Sequence, residues 1–426
     1  MKRTDIIIYS LLAVSVVLLL YTSVPVVQKV IIEYRVHITS NFESGSVKEV
    51  KLIDAKKIES PSGARTWQLT YTVAPQDDPV NPADSSSMPS NRWFYFRMTG
   101  VAHKQVQLFF YHTDPVRPFY SFDGQYFERF SEQEATFRHV SKHFTRDTVY
   151  VAYYTPYTYS HFQKRISDWK SCGPVIRVDT IGWSAQRRPV QMLTVTDPSV
   201  PDDQKRRVYI HARIHPGETP AAWFAEYLID TLLANTEEAA SWRRSTVFYI
   251  VPCANPDGVV NGLSRSNIQG IDLEMNYQAP DSLTAPEVYA IKKTVKRLTI
   301  ERPLDIVLNL HSQTTPRTSF WIHTAVSTSL SFFQQQMQFA HVHTEQNPFF
   351  SQDDLLFSDL SAHCIEGWLW EQYQDKTLAL TFETPYTYYR NNPYGEWVTL
   401  DNLNLLGRHF LRAVSKYLSA SVPIYL

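Results

Sequence analysis

Cysteine is scarce in this 426-residue chain, and a surplus of charge is absent. The three cysteines, Cys172, Cys253 and Cys364, stand at wide spacings. An odd number so placed gives no disulfide framework and no CxxC zinc pattern, and all three read as buried or idle thiols. The net charge of -1 argues against nucleic acid as a partner and against broad attraction to anionic membranes. No long amphipathic helix pattern occurs before about residue 160. Charge is missing altogether from Ile6 to Val27, and Ile6 to Leu20 is almost wholly apolar.

That apolar run has a length consistent with a spanning helix, which needs ~20 apolar residues. Tyr21-Thr22-Ser23-Val24-Pro25 makes a poor cleavage site. The expectation is a short cytoplasmic tail over 1–5 and an uncleaved signal anchor, a transmembrane helix, over 6–27. Secretion after signal cleavage is the alternative. Lys2 and Arg3 favour a cytoplasmic N-terminus, so the protein is expected to be a single-pass membrane protein with its bulk lumenal or extracellular.

The rest of the chain is long enough for two domains and has an ordinary globular composition, with 14% aromatic and 19% charged residues. Segments rich in aromatic and β-branched residues recur at Trp67 to Val73, Trp93 to Met98, Val106 to Tyr111 and Val149 to Tyr154, and they read as short strands. Between them, residues 74–91 form a Pro/Asp/Ser-rich loop, expected to be mobile. An antiparallel β-sandwich over 35–160 is predicted. After Ser160 strands alternate with helices. Arg207 to Ile214, Val247 to Val251, Ile306 to Leu308 and Leu378 to Phe382 are apolar or alternating; Thr219 to Asn235 and Leu400 to Leu418 have helical spacing. An α/β catalytic domain over 161–426 follows, with a mixed, mainly parallel sheet flanked by helices.

This places chemistry at strand ends. His215, Asn255, His311 and Glu383 each follow a predicted strand, and ligands bind beyond the carboxyl ends of strands in open α/β sheets. In His215-Pro216-Gly217-Glu218 a sharp turn lets an imidazole and a carboxylate share one divalent ion. A third donor from His311 would leave a position open for water, the layout of a catalytic zinc site. Alone, each signal is weak: HxxE is common by chance, and a lone histidine after a strand is usually structural. His341, His343, His363 and Cys364 read as surface or packing residues.

Context adds weight. Asn255-Pro256-Asp257-Gly258-Val259 precedes Gly262, Arg265, Gly270, Asp272 and Leu273, and with the late Glu383 this order resembles the zinc metallocarboxypeptidase family. It is most similar to the cytosolic-carboxypeptidase branch, which includes tubulin deglutamylases. Trp93-Phe94-Tyr95-Phe96 and Thr155-Pro156-Tyr157-Thr158-Tyr159-Ser160 resemble that branch's accessory domain. The resemblance implies one zinc ion held by His215, Glu218 and His311, Glu383 as general base, Arg265 as oxyanion stabiliser, and a peptide or protein substrate. Asp257 is expected to orient a ligand histidine or its loop.

One departure stands out. The family continues Asp-Leu-Asn-Arg, whose Asn-Arg pair grips the substrate's terminal carboxylate. Here the register reads Asp272-Leu273-Glu274-Met275-Asn276-Tyr277. Methionine offers no bidentate donor, and Glu274 adds negative charge; Glu274, Met275 and Asn276 are therefore candidate substrate-binding positions with altered recognition. Three readings stay open. Arg265, Arg213 or Arg317 supplies the grip; the substrate's leaving end lacks a free carboxylate or carries a positive group; or the protein is a catalytically silent, carboxypeptidase-like binding module.

Overall fold

The computed structural model describes residues 35–59, 63–83, 88–389 and 396–420. Ten strands precede the first helix among these: β1 (His37–Thr39), β2 (Glu49–Glu59), β3 (Arg65–Ala74), β4 (Tyr95–Thr99), β5 (Lys104–Phe110), β6 (Phe119–Ser121), β7 (Glu128–Arg129), β8 (Ala135–Thr136), β9 (His139–Phe144) and β10 (Thr148–Ala152). Period-two alternation in β3 buries Leu69, Tyr71 and Val73. Two five-stranded sheets result, ordered β1-β4-β10-β6-β7 and β2-β3-β5-β9-β8, and Leu69, Phe96, Leu108, Val140 and Val151 share one apolar interior. Pairing is antiparallel with one exception: β3 and β5 run parallel. The chain leaves β3 and contributes β4 to the other sheet before it returns, which supplies the long crossover that a parallel pair needs.

The predicted architecture needs a correction at its N-terminus. No helix among the described residues is long and apolar enough to cross a membrane, so the transmembrane helix is struck from the fold. Residues 6–27, where it was placed, lie outside the described residues.

From the helix Tyr159–Lys170 onward the chain is α/β, with strands β11 (Ile176–Trp183), β12 (Pro189–Val195), β13 (Arg206–Ala212), β14 (Thr246–Val251), β15 (Ile306–Gln313), β16 (Ser319–His323), β17 (Leu356–Ser358) and β18 (Leu378–Pro385). They form one sheet ordered β11-β12-β14-β13-β15-β18-β16-β17. The central strands β14, β13, β15 and β18 are parallel, with antiparallel neighbours β12 and β16. This is the mixed, mainly parallel sheet that the sequence predicts. One face, with Ile210, Leu308 and Leu380, packs on the helices Thr219–Leu233 and Leu400–Ser419 and is continuous with the sandwich interior. The other, with Tyr209, Val307 and Ala379, packs on Pro286–Leu298 and Ile365–Tyr373.

His343 sits on the helix Leu330–Thr344 among the rings of Phe320, Phe339 and Phe410, and His323 ends β16; both are buried. Burial pushes His323 down to about 4 and His343 down to about 3. An unfolded histidine titrates near ~6.5. The unfolded chain therefore takes up protons first as pH falls. The stability these groups contribute is present above ~6.5 and is lost as pH drops toward the folded values, at up to ~1.4 kcal/mol per pH unit for each. Urea midpoints should fall between pH 7 and pH 5, with a shallower fall in His343→Gln. Equal midpoints in the native protein would contradict burial of the neutral rings.

Candidate metal centre and active site

Strand β13 ends at Ala212, and the chain then turns through Arg213, which adopts a left-handed φ of 58°. Bulky residues enter that region only when the surroundings hold them. Here the buried guanidinium donates to the carbonyls of Tyr157 and Pro216, fixing the turn that carries His215. Gly217 is required by close approach: a Cβ there would lie 2.8 Å from the Ser264 carbonyl oxygen. Asn255 clamps the neighbouring loop, with Oδ1 accepting from the Gly258 N–H and Nδ2 donating to the carbonyls of Ile214 and Ser266.

His311 and Glu383, expected just beyond their strands, lie within β15 and β18, directly paired in register. Side chains alternate along a strand, so both project from the sheet face covered by Ile365–Tyr373. The Glu218 carboxylate reaches Nδ1 of both histidines, His215 at 2.9 Å and His311 at 2.9 Å, and the two Nδ1 atoms are 3.1 Å apart. All three residues are buried. Burial works against charge on Glu218, yet the two imidazoles hold its carboxyl well below the usual range. Two imidazole nitrogens and one carboxylate converging from three chain segments fit a zinc ion with an open position.

The outward nitrogens of the pair are also held. Asp272 Oδ1 lies 3.1 Å from His215 Nε2, and Glu274 Oε2 lies 3.3 Å from His311 Nε2. Carboxylates in these places fix the ring orientation of ligand histidines. Sequence reasoning misses this role for both residues. Glu274 does not face the substrate side: it is buried, and the Asn309 amide donates to both its oxygens at 3.0 Å. Asp257 serves the loop and not a histidine, accepting from Ser184 Oγ, the Gln186 N–H and Arg188 Nη1.

Glu383 accepts from Trp321 Nε1 at 3.2 Å, while its Oε2 is buried with no hydrogen-bond partner among the described residues. Burial pushes the carboxyl up to about 7; a cation at the donor trio would draw it down. Arg265 donates from Nε to Asp272 at 2.7 Å, so one carboxylate ties a ligand histidine to this guanidinium. Arg265 lines a cavity of about 130 Å³ together with Glu218, Arg92, Trp93 and Tyr386. A larger cleft of about 1110 Å³, lined by Arg177, Met192, Tyr249 and Arg297, contains none of these groups.

The loop over 74–91, expected to be mobile, includes a buried clamp. Asp78 accepts from the N–H groups of Ser264, Arg265 and Ser266 at 2.7, 2.7 and 2.9 Å, so the sandwich side of the molecule positions the Arg265 backbone. Of the candidate substrate-binding residues, Met275 is 44% exposed with Sδ 3.8 Å from Cys364 Sγ. Asn276 caps the Ala285 N–H at 2.7 Å and does not join the group. Arg213 is committed to carbonyls, which removes it as a substitute grip.

Residues 159–348 match the family described as zinc carboxypeptidase. Cytosolic carboxypeptidase 3 of Mus musculus is 33% identical over 181 residues, 41% of this chain and 18% of the relative. Cytosolic carboxypeptidase 1 of Homo sapiens is 33% identical over 175 residues, 38% of this chain and 14% of the relative. The matches thus span under a fifth of those relatives. A metallo-carboxypeptidase from Burkholderia cenocepacia shares the fold, with a TM-score of 0.72 at 22% identity over 91% of this chain and 100% of that one. The expected single-pass membrane placement is withdrawn: these relatives are named cytosolic, and no described helix can span a membrane.

Proposed function

From the premise that the chain carries a zinc-carboxypeptidase domain, a zinc metallopeptidase domain for one zinc ion, we propose that the protein hydrolyses peptide or isopeptide amides with altered recognition of the substrate's C-terminal end. The observation that supports it most is the convergence of His215, Glu218 and His311 with Glu383 in register beside the third donor.

His215, Glu218 and His311 would hold the zinc, which when bound polarises the scissile carbonyl and lowers the pKa of water toward ~7. Glu383, with one oxygen steadied by Trp321 and the other unpaired among the described residues, takes a proton from the attacking water and delivers it to the leaving amine. Arg265 keeps a permanent charge beside the cavity and donates to the oxygen on which negative charge develops. Asp272 and Glu274 hold the ligand imidazoles in the required orientation.

Altered recognition follows from Met275, which stands exposed where the family's arginine would offer a fork to a carboxylate. Substrates with a free C-terminal carboxylate should be poor, and amidated or branched ends comparatively better. Glu274→Asn with Met275→Arg should raise kcat/KM for free-carboxylate peptides by roughly tenfold, the scale of one charge-assisted pair of ~1.5–3 kcal/mol. Brisk trimming of free C-termini by the native protein would defeat the idea.

A further inference from the structure

On the sheet face that carries the active site, side chains stand in layers across β13, β15 and β18. Tyr209, Val307 and Ala379 form an apolar layer, and His311 and Glu383 the catalytic one. Between them lies a polar layer of His211, Asn309 and Thr381, aligned in register. Polar residues in the interior of a parallel sheet need partners, and two carboxylates descend on this layer. Glu274 comes from the turn Glu274–Asn276, and Glu366 from the first turn of Ile365–Tyr373. Asn309 Nδ2 bridges them, 3.0 Å from each Glu274 oxygen and 3.4 Å from Glu366 Oε1; Thr381 Oγ1 donates to that same Glu366 oxygen at 2.6 Å.

Glu274 has the structural task of orienting His311. Glu366 has none, and among the described residues no lysine or arginine is ion-paired with either carboxylate. A second observation points the same way. Both His211 ring nitrogens, the Tyr277 hydroxyl and Asn309 Oδ1 are buried without hydrogen-bond partners among the described residues; all three residues are fully buried. The unmet demand is for hydrogen-bond donors beside negative charge.

We propose that Glu366, with Glu274 and Asn309, forms a pocket for the cationic side chain, an ammonium or guanidinium, of the residue released on the Met275 side of the metal. The assignment rests on the hydrolase reading, in which the 274–275 register faces the leaving end of the substrate. An ammonium brings three donors and a guanidinium five. The polar layer lies two strand residues below the catalytic one, roughly 6.6 Å, a depth that the stem of a lysine or arginine spans. Met275 and Cys364 form the lip above it. A divalent cation is the competing occupant, since donor atoms of Glu274, Cys364 and Glu366 lie within 4.8 Å of one another. Asn309 turns its N–H, and not its oxygen, toward both carboxylates, so its amide adds no ligand for a metal there, and the organic cation is the better fit.

The test is a panel of amidated peptides that differ only in the leaving residue: lysine, arginine, norleucine and glutamate. The zinc-loaded native protein should prefer the basic pair over norleucine by at least tenfold in kcat/KM. Glu366→Gln should cut that ratio about tenfold, and Glu366→Lys should shift preference toward glutamate. No basic preference, or an unchanged ratio in both variants, overturns the proposal, as does a second equivalent of bound metal that disappears in Glu366→Gln. Zinc content and melting temperature check that the variants fold. If the native protein cleaves nothing in the panel, the hydrolase reading fails by itself. Calorimetry with lysine amide, arginine amide and norleucine amide then decides the pocket: selective binding of the basic amides that Glu366→Gln abolishes supports it, and equal or absent binding overturns it.

Discussion

Glu383→Gln abolishes hydrolysis while zinc stays bound. General base catalysis contributes ~10²–10⁴-fold, so kcat should fall by that factor with KM nearly unchanged, because a glutamine keeps the size of the side chain and still accepts from Trp321 Nε1 through its carbonyl oxygen. The fold should tolerate the change. Glu383 is buried, its carboxyl is already pushed up to about 7, and Oε2 has no hydrogen-bond partner among the described residues to lose. A neutral amide in that place removes a burial penalty on charge, so the melting temperature should hold or rise. Steady-state kinetics on any peptide the native protein cleaves, with zinc measured by atomic emission on the same samples, separates the outcomes. Turnover within a few-fold of native would remove Glu383 from the chemistry. Absence of turnover in both proteins is what a silent binding module predicts.

The donor trio and the base are legible in the sequence because their chemistry depends on residue type and short spacing. His215 and Glu218 are joined by a turn that Pro216-Gly217 makes readable, and apolar runs announce the strands that carry His311 and Glu383. Polarity alone ends those strands too early. Backbone pairing continues through His311 and Glu383, because β15 and β18 remain in register to Gln313 and Pro385. The groups that orient the site are not legible. Asp272 meets His215 across 57 positions and Asp78 meets the Arg265 N–H across 187. Nothing local marks such pairs; only the folded sheet and the packed sandwich bring them together. Glu274 shows the same limit in reverse. Its charge is plain in the sequence and suggests a substrate contact, whereas the alternation of β15 presents Asn309 and His311 to it.

Removing the metal should have the other large effect, on both activity and stability, and the two should vary with pH in a linked way. Chelation ought to stop hydrolysis completely, with recovery on adding one equivalent of zinc. Stability follows from binding to the folded state alone, ~4 kcal/mol when free zinc is ~1,000 times its Kd. The sign of the pH effect comes from the ligands. Without a cation, burial disfavours charge on His215 and His311, but the Glu218 carboxylate overcomes it and raises both, His311 well above the usual histidine range. Groups raised in the folded state contribute stability below ~6.5, the unfolded value, and lose it as pH climbs through the folded values. The metal-free protein therefore loses this contribution toward alkaline pH. Zinc requires both imidazoles unprotonated, so its own contribution grows as pH rises and protons no longer compete. The difference in melting temperature between zinc-loaded and chelated protein should be largest near ~pH 8 and should shrink steadily toward ~pH 5.5. A difference that is flat with pH, or one that widens on acidification, would mean that these two histidines do not hold the ion.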